Sequence, residues 1–521
     1  MNACGKRLGL LLVLWFAPAA AEQSLRIAVP EVPASLDPHR AATPIARALS
    51  REVFEGLVTL DANGQPAPGL AESWTVESGG TRYLFTLRPG LKWSDGRPLT
   101  AADIVEGLKR VLDPATGAPL SAMFLPIRNA AEFQLGTLTS GQSLGVVARS
   151  DRLIEISLAA PSVRLLHALA SPSATPVPRH KVAALGEAWA APFLVVGNGA
   201  FVPTPAGDGY ALKRNGNYSG AVAPTLERVS FVVVPSFEAA VAAVAEGRAD
   251  LAMGFEPEPS MRSQPPARSS VMRAEAGPVT YMWTANMRRP PLDQRDVRHA
   301  LAMLLDREAL IEGLGLEKVG PSFSMTAPGL VRGYHPPLAP YGKLKQPERD
   351  IIAEVLLLDT ERTALPTLRL SVPEGRVPAA LADAAARSWR ALGFKIEVLT
   401  PSAADHVAAL LGGDFDIAAA MTIDRDADAW PTLFAFSRAA GPLNVAGYGE
   451  VAFEERLLPA DGEQNPDYRL GNLRSAEDVL AEDQVAWPLF TFTPAAPVSA
   501  NVLGWQPNHT GLHPLRYLSI K

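Results

Sequence analysis

The sequence predicts an α/β fold of two lobes of similar construction, with a strand-rich segment toward the N-terminal end. Three observations predict it. A helix-to-strand join of one pattern, Gly-x-x-Asp-(Leu/Ile)-Ala, occurs twice, at Gly247–Ala252 and Gly413–Ala418, about 166 residues apart. Short strand candidates crowd residues 53–99. The 521 residues imply more than one domain, and a hydrophobic fraction of 47% is enough for sizeable cores. A helix feeding a buried strand is the unit of an α/β lobe. Chance recurrence of a common join is the alternative explanation of the two copies.

The elements follow in chain order. Lys6 and Arg7 precede the apolar run Leu8–Phe16, Pro18 breaks it, and Ala19-Ala20-Ala21 offers small residues before Glu22. That is the pattern of an export signal cleaved after Ala21, and nine apolar residues are too few for a bilayer span. Ser24–Pro30 alternates loosely as an opening strand, and Arg82–Leu87 reads as another. Lys92-Trp93-Ser94-Asp95-Gly96 supplies an Asp-Gly turn. Thr100 opens a helix with Asp103 as capping-box acid, and Ile104, Val105, Leu108 and Val111 follow at helical spacing.

Phe237–Ala245 reads as a helix stopped at Gly247, with a strand from Asp250 to Met253. His406–Leu411 reads as a helix stopped at Gly412-Gly413, with a strand from Asp416. Glycine suits the left-handed position that ends a helix. Ala379–Leu392 places Leu381, Ala385, Trp389 and Leu392 on one face before Gly393, and Lys395–Leu399 alternates as a strand. Trp389 reads as core.

Composition excludes several classes. Cys4 is the only cysteine and lies in the signal, ahead of its apolar core, so a mature chain has no disulfide, thiolate metal site or cysteine nucleophile. A cysteine-free exported protein fits the bacterial periplasm. Losing Lys6 and Arg7 takes the formal net charge from −6 to −8, and no Lys/Arg cluster reads as a nucleic-acid footprint. Gly141-Gln142-Ser143-Leu144-Gly145 matches a hydrolase elbow in letters, but a polar loop precedes it and a strand follows, the reverse of what the elbow needs. His509 and His513 are four apart, yet Gly511 and Pro514 argue against a helix, and no acid is near. They read as structural or solvent-facing, with no metal site and no cofactor expected.

At this point the residues resemble the peptide/nickel/opine class of solute-binding proteins of ABC importers, closest to the periplasmic oligopeptide receptors. The matching stretches include Ser35-Leu36-Asp37-Pro38-His39, Val53-Phe54-Glu55-Gly56-Leu57, Pro68–Trp74, Lys92–Gly96, Ser173–Pro178, Asn198-Gly199-Ala200-Phe201, Asp296–Ala302 with Asp306-Arg307-Glu308, and Tyr517–Lys521. They are colinear over the mature chain. The resemblance implies a bilobal periplasmic-binding-protein fold with a hinge and an extra β-rich subdomain. Lobe I would hold 22–50, 171–275 and 491–521, subdomain II 51–170, and lobe III 276–490. It implies a monomeric, non-enzymatic receptor that binds short peptides and delivers them to an inner-membrane permease.

The resemblance also places the site. An acidic residue meets the peptide ammonium at Met421-Thr422-Ile423-Asp424, which makes Asp424 the expected anchor. Asp426 is the second candidate, and a solvated loop of Asp424, Asp426 and Asp428 is the alternative. Met421, Thr422, Ile423 and Arg425 flank the anchor. Asn444 hydrogen-bonds ligand backbone or holds a turn. Glu31, Val32, Ala34 and Ser35 form the facing strand end of lobe I. The sequence departs from the family's pattern in four places, one of them a residue missing from the run into Asp424. Met421-Thr422 stands for a Gly-aromatic pair, and Asp428-Ala429 stands for Asp-Pro. The arginines that meet a ligand carboxylate map onto apolar positions, Ala419 and Leu410-Leu411, leaving Arg425 or Arg438 as substitutes. A modified peptide, a murein peptide or a metal complex is the alternative ligand, and an exported hydrolase or wall-associated scaffold the alternative of another class.

Overall fold

Ser24–Val29 is the strand from which the first half of the molecule is built. In the computed structural model the described residues are 23–138, 143–207, 209–255, 259, 271–274, 278–358, 366–422 and 428–521. Leu25, Ile27, Ala28 and Val29 are fully buried. Such a strand, covered on both faces, belongs in the middle of a sheet with parallel neighbours. Ser24–Val29 pairs in parallel with Arg228–Val233 on one side and Leu251–Ala252 on the other. Gly209–Arg214 and Phe201–Ala206 complete five strands in antiparallel order. The helix Phe237–Ala245 connects two of them, capped by the Ser236 hydroxyl, which accepts from Ala239 N–H at 3.2 Å.

The second large sheet has six strands, in the order Val319–Pro321, Ala486–Phe492, Val279–Ala285, Ile417–Thr422, Leu368–Ser371, Ile396–Leu399. Leu368–Ser371 pairs in parallel with both of its neighbours. The helix Arg376–Ala391 links two of these strands and buries Trp389 completely. The Trp389 indole N–H donates to Leu301 O at 3.0 Å, and its ring meets Trp283 and Trp487 edge-on. Its reading as core holds.

The twofold recurrence of Gly-x-x-Asp-(Leu/Ile)-Ala is one device used in both sheets. Gly247 and Gly413 have φ of +73° and +69°, each ending a helix. The Asp250 carboxylate accepts from Arg26 N–H at 2.8 Å and from its Nε at 3.1 Å, while Asp250 N–H donates to Arg26 O. The Asp416 carboxylate accepts from Arg369 N–H at 2.7 Å, and Asp416 N–H donates to Arg369 O. Each aspartate thus satisfies the open end of the neighbouring parallel strand and neutralises its arginine. Those strands are themselves alike: Leu25-Arg26-Ile27-Ala28-Val29-Pro30-Glu31 and Leu368-Arg369-Leu370-Ser371-Val372-Pro373-Glu374.

A third, antiparallel sheet of Ala71–Glu77, Arg82–Leu87, Leu153–Ser157 and Val146–Ser150 packs into the same continuous core as the first. The turn at Asp95-Gly96 forms, with Gly96 at φ +86°. The helix Ala101–Leu112 begins where expected, but the Asp103 carboxylate accepts from both the Thr100 N–H (2.9 Å) and the Thr100 hydroxyl (3.2 Å). The second large sheet has separate cores. The stretches leading from each large sheet to the other pair together, Met272–Ala274 antiparallel to Ala495–Pro497. After that ribbon the C-terminal tail lies on the first sheet's side. The buried Arg516 guanidinium pairs there with Glu55, and Ile520 N–H donates to Gln23 Oε1 at 2.9 Å.

Candidate functional site

A cavity of about 440 Å³ lies between the two large sheets. Its walls come from the chain just past Leu251–Ala252 (Met253, Gly254, Phe255), from Pro373 just past Leu368–Ser371, and from Ala419 and Ala420. Open α/β sheets present ligands with the crevice outside the carboxyl ends of their strands, and here two sheets do so toward one space.

The helix Pro44–Val53 supplies the charged wall. Thr43 caps it, accepting from Ala46 N–H at 3.3 Å, with Pro44 at its first position. Ile45, Leu49 and Val53 bury one face, so the face bearing Arg47, Ala48 and Glu52 is left to the cavity. Gly254 makes the close approach possible. A Cβ there would lie 2.5 Å from Ile45 Cβ, and its φ is +84°. Glu52 is buried in this wall. Its carboxylate accepts from Leu515 N–H at 3.1 Å, and burial pushes its carboxyl up to about 7.

His406 fastens the opposite wall. In the neutral form its Nε2–H donates to Ala419 O (3.1 Å) and Nδ1 accepts from the Ser371 hydroxyl (3.0 Å), and burial lowers its pKa. His513, which the sequence assigns a structural or solvent-facing role, stacks on Trp505 with centroids 3.6 Å apart, and both line the cavity. No group of three His, Cys, Asp or Glu residues able to hold a metal occurs among the described residues.

A second chamber of about 520 Å³ adjoins the first, sharing Arg47, Thr510 and Leu512 with it. On one side are Leu120–Pro126 and Arg164–Pro172, on the other Trp430–Ala439 and Leu458. Trp430 stacks on Phe434 at 4.2 Å between centroids, and the Arg164 guanidinium lies 4.1 Å over the Trp430 ring. Val163 N–H donates to Asp461 O at 3.1 Å beside that stack. Burial raises the Asp461 carboxyl.

The expected site residues are distributed unevenly over this space. Ile423, Asp424, Arg425 and Asp426 lie outside the described residues. Met421 and Thr422 close the strand Ile417–Thr422, in register with Tyr281 and Thr280. Asp428 is not part of a solvated run. It is buried, pairs with Arg469 at 2.6 Å and accepts from Trp430 N–H at 3.1 Å, because it fixes the start of the Trp430–Phe434 helix. Asn444 holds a turn, its Nδ2 donating to Tyr448 O (2.6 Å) and its Oδ1 accepting from Tyr448 N–H (3.2 Å), so both ends of the amide are taken. Glu31, Val32, Ala34 and Ser35 are not among the lining residues. The Thr43 hydroxyl, beside the lining residue Pro44, reaches the exposed Glu31 at 3.5 Å. Arg438 is exposed and lines neither chamber. Ala419 and Leu410, where the resemblance implies arginines, do line the first.

Comparison with known proteins places this geometry. Residues 65–443 match the model of the bacterial extracellular solute-binding proteins, family 5. The chain belongs to that family. It is a solute-binding protein of the class that serves ABC importers, and a non-enzymatic one. It is 31% identical over 409 residues to the probable deoxycholate-binding periplasmic protein YgiS of Escherichia coli, covering 76% of this chain and 75% of the relative. It is 27% identical over 500 residues to the periplasmic oligopeptide-binding protein OppA of the same organism, covering 92% and 88%. The OppA structure from Burkholderia pseudomallei superposes with a TM-score of 0.86 at 25% identity, over 96% of this chain and all of that one. These relatives establish the α/β, OppA-like fold, and both E. coli relatives are periplasmic by name. No described helix is long and apolar enough to cross a membrane.

Sequence reasoning did not find Arg47, Glu52, Trp505 or the Trp430–Phe434 stack. The signal available was the unused polar face of Pro44–Val53. The others reach the cavity only through tertiary contacts.

Proposed function

We propose that this protein binds short peptides between its two lobes and hands them to an ABC permease in the inner membrane. On this reading it acts as a monomer, exported to the periplasm by cleavage after Ala21. The lobes are residues 22–50, 171–275 and 491–521 against residues 276–490, with 51–170 as the added subdomain. The observation that carries the reading is the cavity walled from both large sheets at their strand ends, with paired passages at Met272–Ala274 and Ala495–Pro497 as the hinge. A ligand touching both walls binds the closed form better than the open one, and this difference in affinity drives closure.

Asp424 comes two residues in sequence after the strand Ile417–Thr422, which brings Ala419 and Ala420 to the cavity, and in this proposal it takes the peptide ammonium. The OppA relatives, named for oligopeptides, support the ligand class. A second reading is an amphipathic small molecule, favoured by the relative named for deoxycholate and by the apolar second chamber.

Calorimetry on residues 22–521, stripped of co-purified ligand by unfolding and refolding, separates the two. Di- to pentapeptide pools with free amino termini should bind, acetylated pools should not, and Asp424→Asn should weaken the free-amine ligands by about 1.5–3 kcal/mol. Binding of deoxycholate and of neither pool would overturn the peptide reading.

A further inference from the structure

The second chamber is too large and too apolar to be a packing defect. Protein interiors leave few voids larger than a water molecule, yet about 520 Å³ stands open here. Its walls include Leu60, Leu120, Met123, Leu125, Trp430 and Phe434. Several of them, Leu120, Met123, Leu125 and Phe434 among them, are only half-buried, so apolar surface faces the chamber uncovered. Arg47, Arg51, Arg164, His167 and Asp461 also line the chamber and can hold water, but water against the apolar part of the wall finds few hydrogen-bond partners, and an apolar group that displaces it there gains affinity.

The aromatic side of the chamber is held rigidly. The Asp428–Arg469 pair fixes the first turn of the Trp430–Phe434 helix, and Arg469 Nε also donates to Ala460 O at 3.0 Å, tying that turn to the helix Val451–Gly462. Arg164 covers one face of Trp430 from the opposite side of the cleft. The Trp430–Phe434 stack is therefore positioned before any ligand arrives. Rings meet such a surface by offset or edge contact, with a gain beyond plain area burial. Arg47, Thr510 and Leu512 line both chambers, so the two spaces lie side by side, within reach of one extended ligand.

We propose that the second chamber is a subsite for a bulky, ring-bearing apolar group of the ligand, seated against the half-buried Phe434, Leu120, Met123 and Leu125, with the buried Trp430 backing Phe434, while the polar part of the ligand lies in the first chamber. The inference rests on the peptide reading above and narrows it to peptides that carry such a group.

The test is calorimetric titration of tri- to pentapeptide pools of Ala and Ser only, against the same pools with a single Trp or Phe. The wild-type protein should prefer the ring-bearing pool by about tenfold or more, the scale on which a hydrophobic pocket discriminates. Ala435→Trp, which places a ring inside the chamber, should collapse that ratio toward one. Ala439→Phe, at an exposed lining position, repeats the test should Ala435→Trp lower the thermal midpoint. Equal affinity of the wild type for both pools, or a preference that survives both filled variants, would overturn the subsite and leave the peptide reading standing. Deoxycholate run in parallel separates the remaining outcomes. If no peptide binds, but deoxycholate binds and the filled variants abolish it, the subsite stands and the peptide reading falls. If neither peptides nor deoxycholate bind, both fall.

Discussion

Replacing Glu52 by glutamine should make the protein more stable at alkaline pH and leave it unchanged in acid. Glu52 sits in the cavity wall at 4% exposure, with Glu55 adding repulsion and Arg516 and Arg51 only partly offsetting the loss of water. Its carboxyl has an ordinary value of 4.5 and is raised to about 7 in the folded protein. Between these values the folded state holds a proton that the unfolded state has released, so stability falls as pH rises through that window. The rise from 4.5 to about 7 corresponds to about 3 kcal/mol of stability, fully present below pH 4.5 and lost above pH 7. Glutamine keeps an oxygen for Leu515 N–H and carries no charge to desolvate. Buried His39 works in the opposite direction. Its pKa is lowered to about 4 by burial and by Arg110, so its contribution is lost as pH falls from 6.5. The quantity to follow is therefore the difference between Glu52→Gln and wild type, which cancels His39. Thermal midpoints measured from pH 4.5 to 8 should converge at the acid end and separate in favour of the variant above pH 7. A difference that does not change with pH would refute the reasoning.

Two further predictions concern buried charge. Arg516→Met strands Glu55, whose side chain is 2% exposed and also accepts from Tyr218 Oη–H at 2.7 Å. It should cost about 3–5 kcal/mol, and adding Glu55→Gln should recover most of that loss in denaturant titrations. A double variant as unstable as the single would show that the tail is held by something other than this pair. Glu477→Ala removes the acceptor of four buried donors, Met325 N–H (3.0 Å), Thr326 N–H (2.9 Å), the Thr326 hydroxyl (2.9 Å) and Tyr334 Oη–H (2.6 Å). At about 1–3 kcal/mol for each donor left unpaired, a total loss of at least 4 kcal/mol is expected. A loss under 1 kcal/mol would contradict the accounting.

The local signals were legible because they are local. Phe237–Ala245 and Arg82–Leu87 have the bounds that periodicity gives them, and Gly247, Gly393 and Gly413 all take the left-handed conformation expected of helix stops. The repeated Gly-x-x-Asp-(Leu/Ile)-Ala was visible, but its meaning was not. Asp250 and Asp416 act on Arg26 and Arg369, which lie 224 and 47 residues earlier in the chain. The matching Leu-Arg strands went unnoticed because nothing in one strand's pattern names its sheet neighbour. Asn444 illustrates the same limit, since a turn-holding and a ligand-holding amide look alike until the backbone of Tyr448 is seen to use both of its ends.

The sequence by itself determined the α/β class, the helix and strand types, the family and hence the non-enzymatic role. These rest on periodicity, on stop residues and on colinear motifs, all properties of neighbours along the chain. Only the tertiary structure decided which side chains face the ligand space. Helix Pro44–Val53, the tail residues Trp505–His513 and the Trp430–Phe434 stack come from distant parts of the chain. Two sheets joined by one paired ribbon bring them together, and the resulting cavity takes its charge and apolar character from all three.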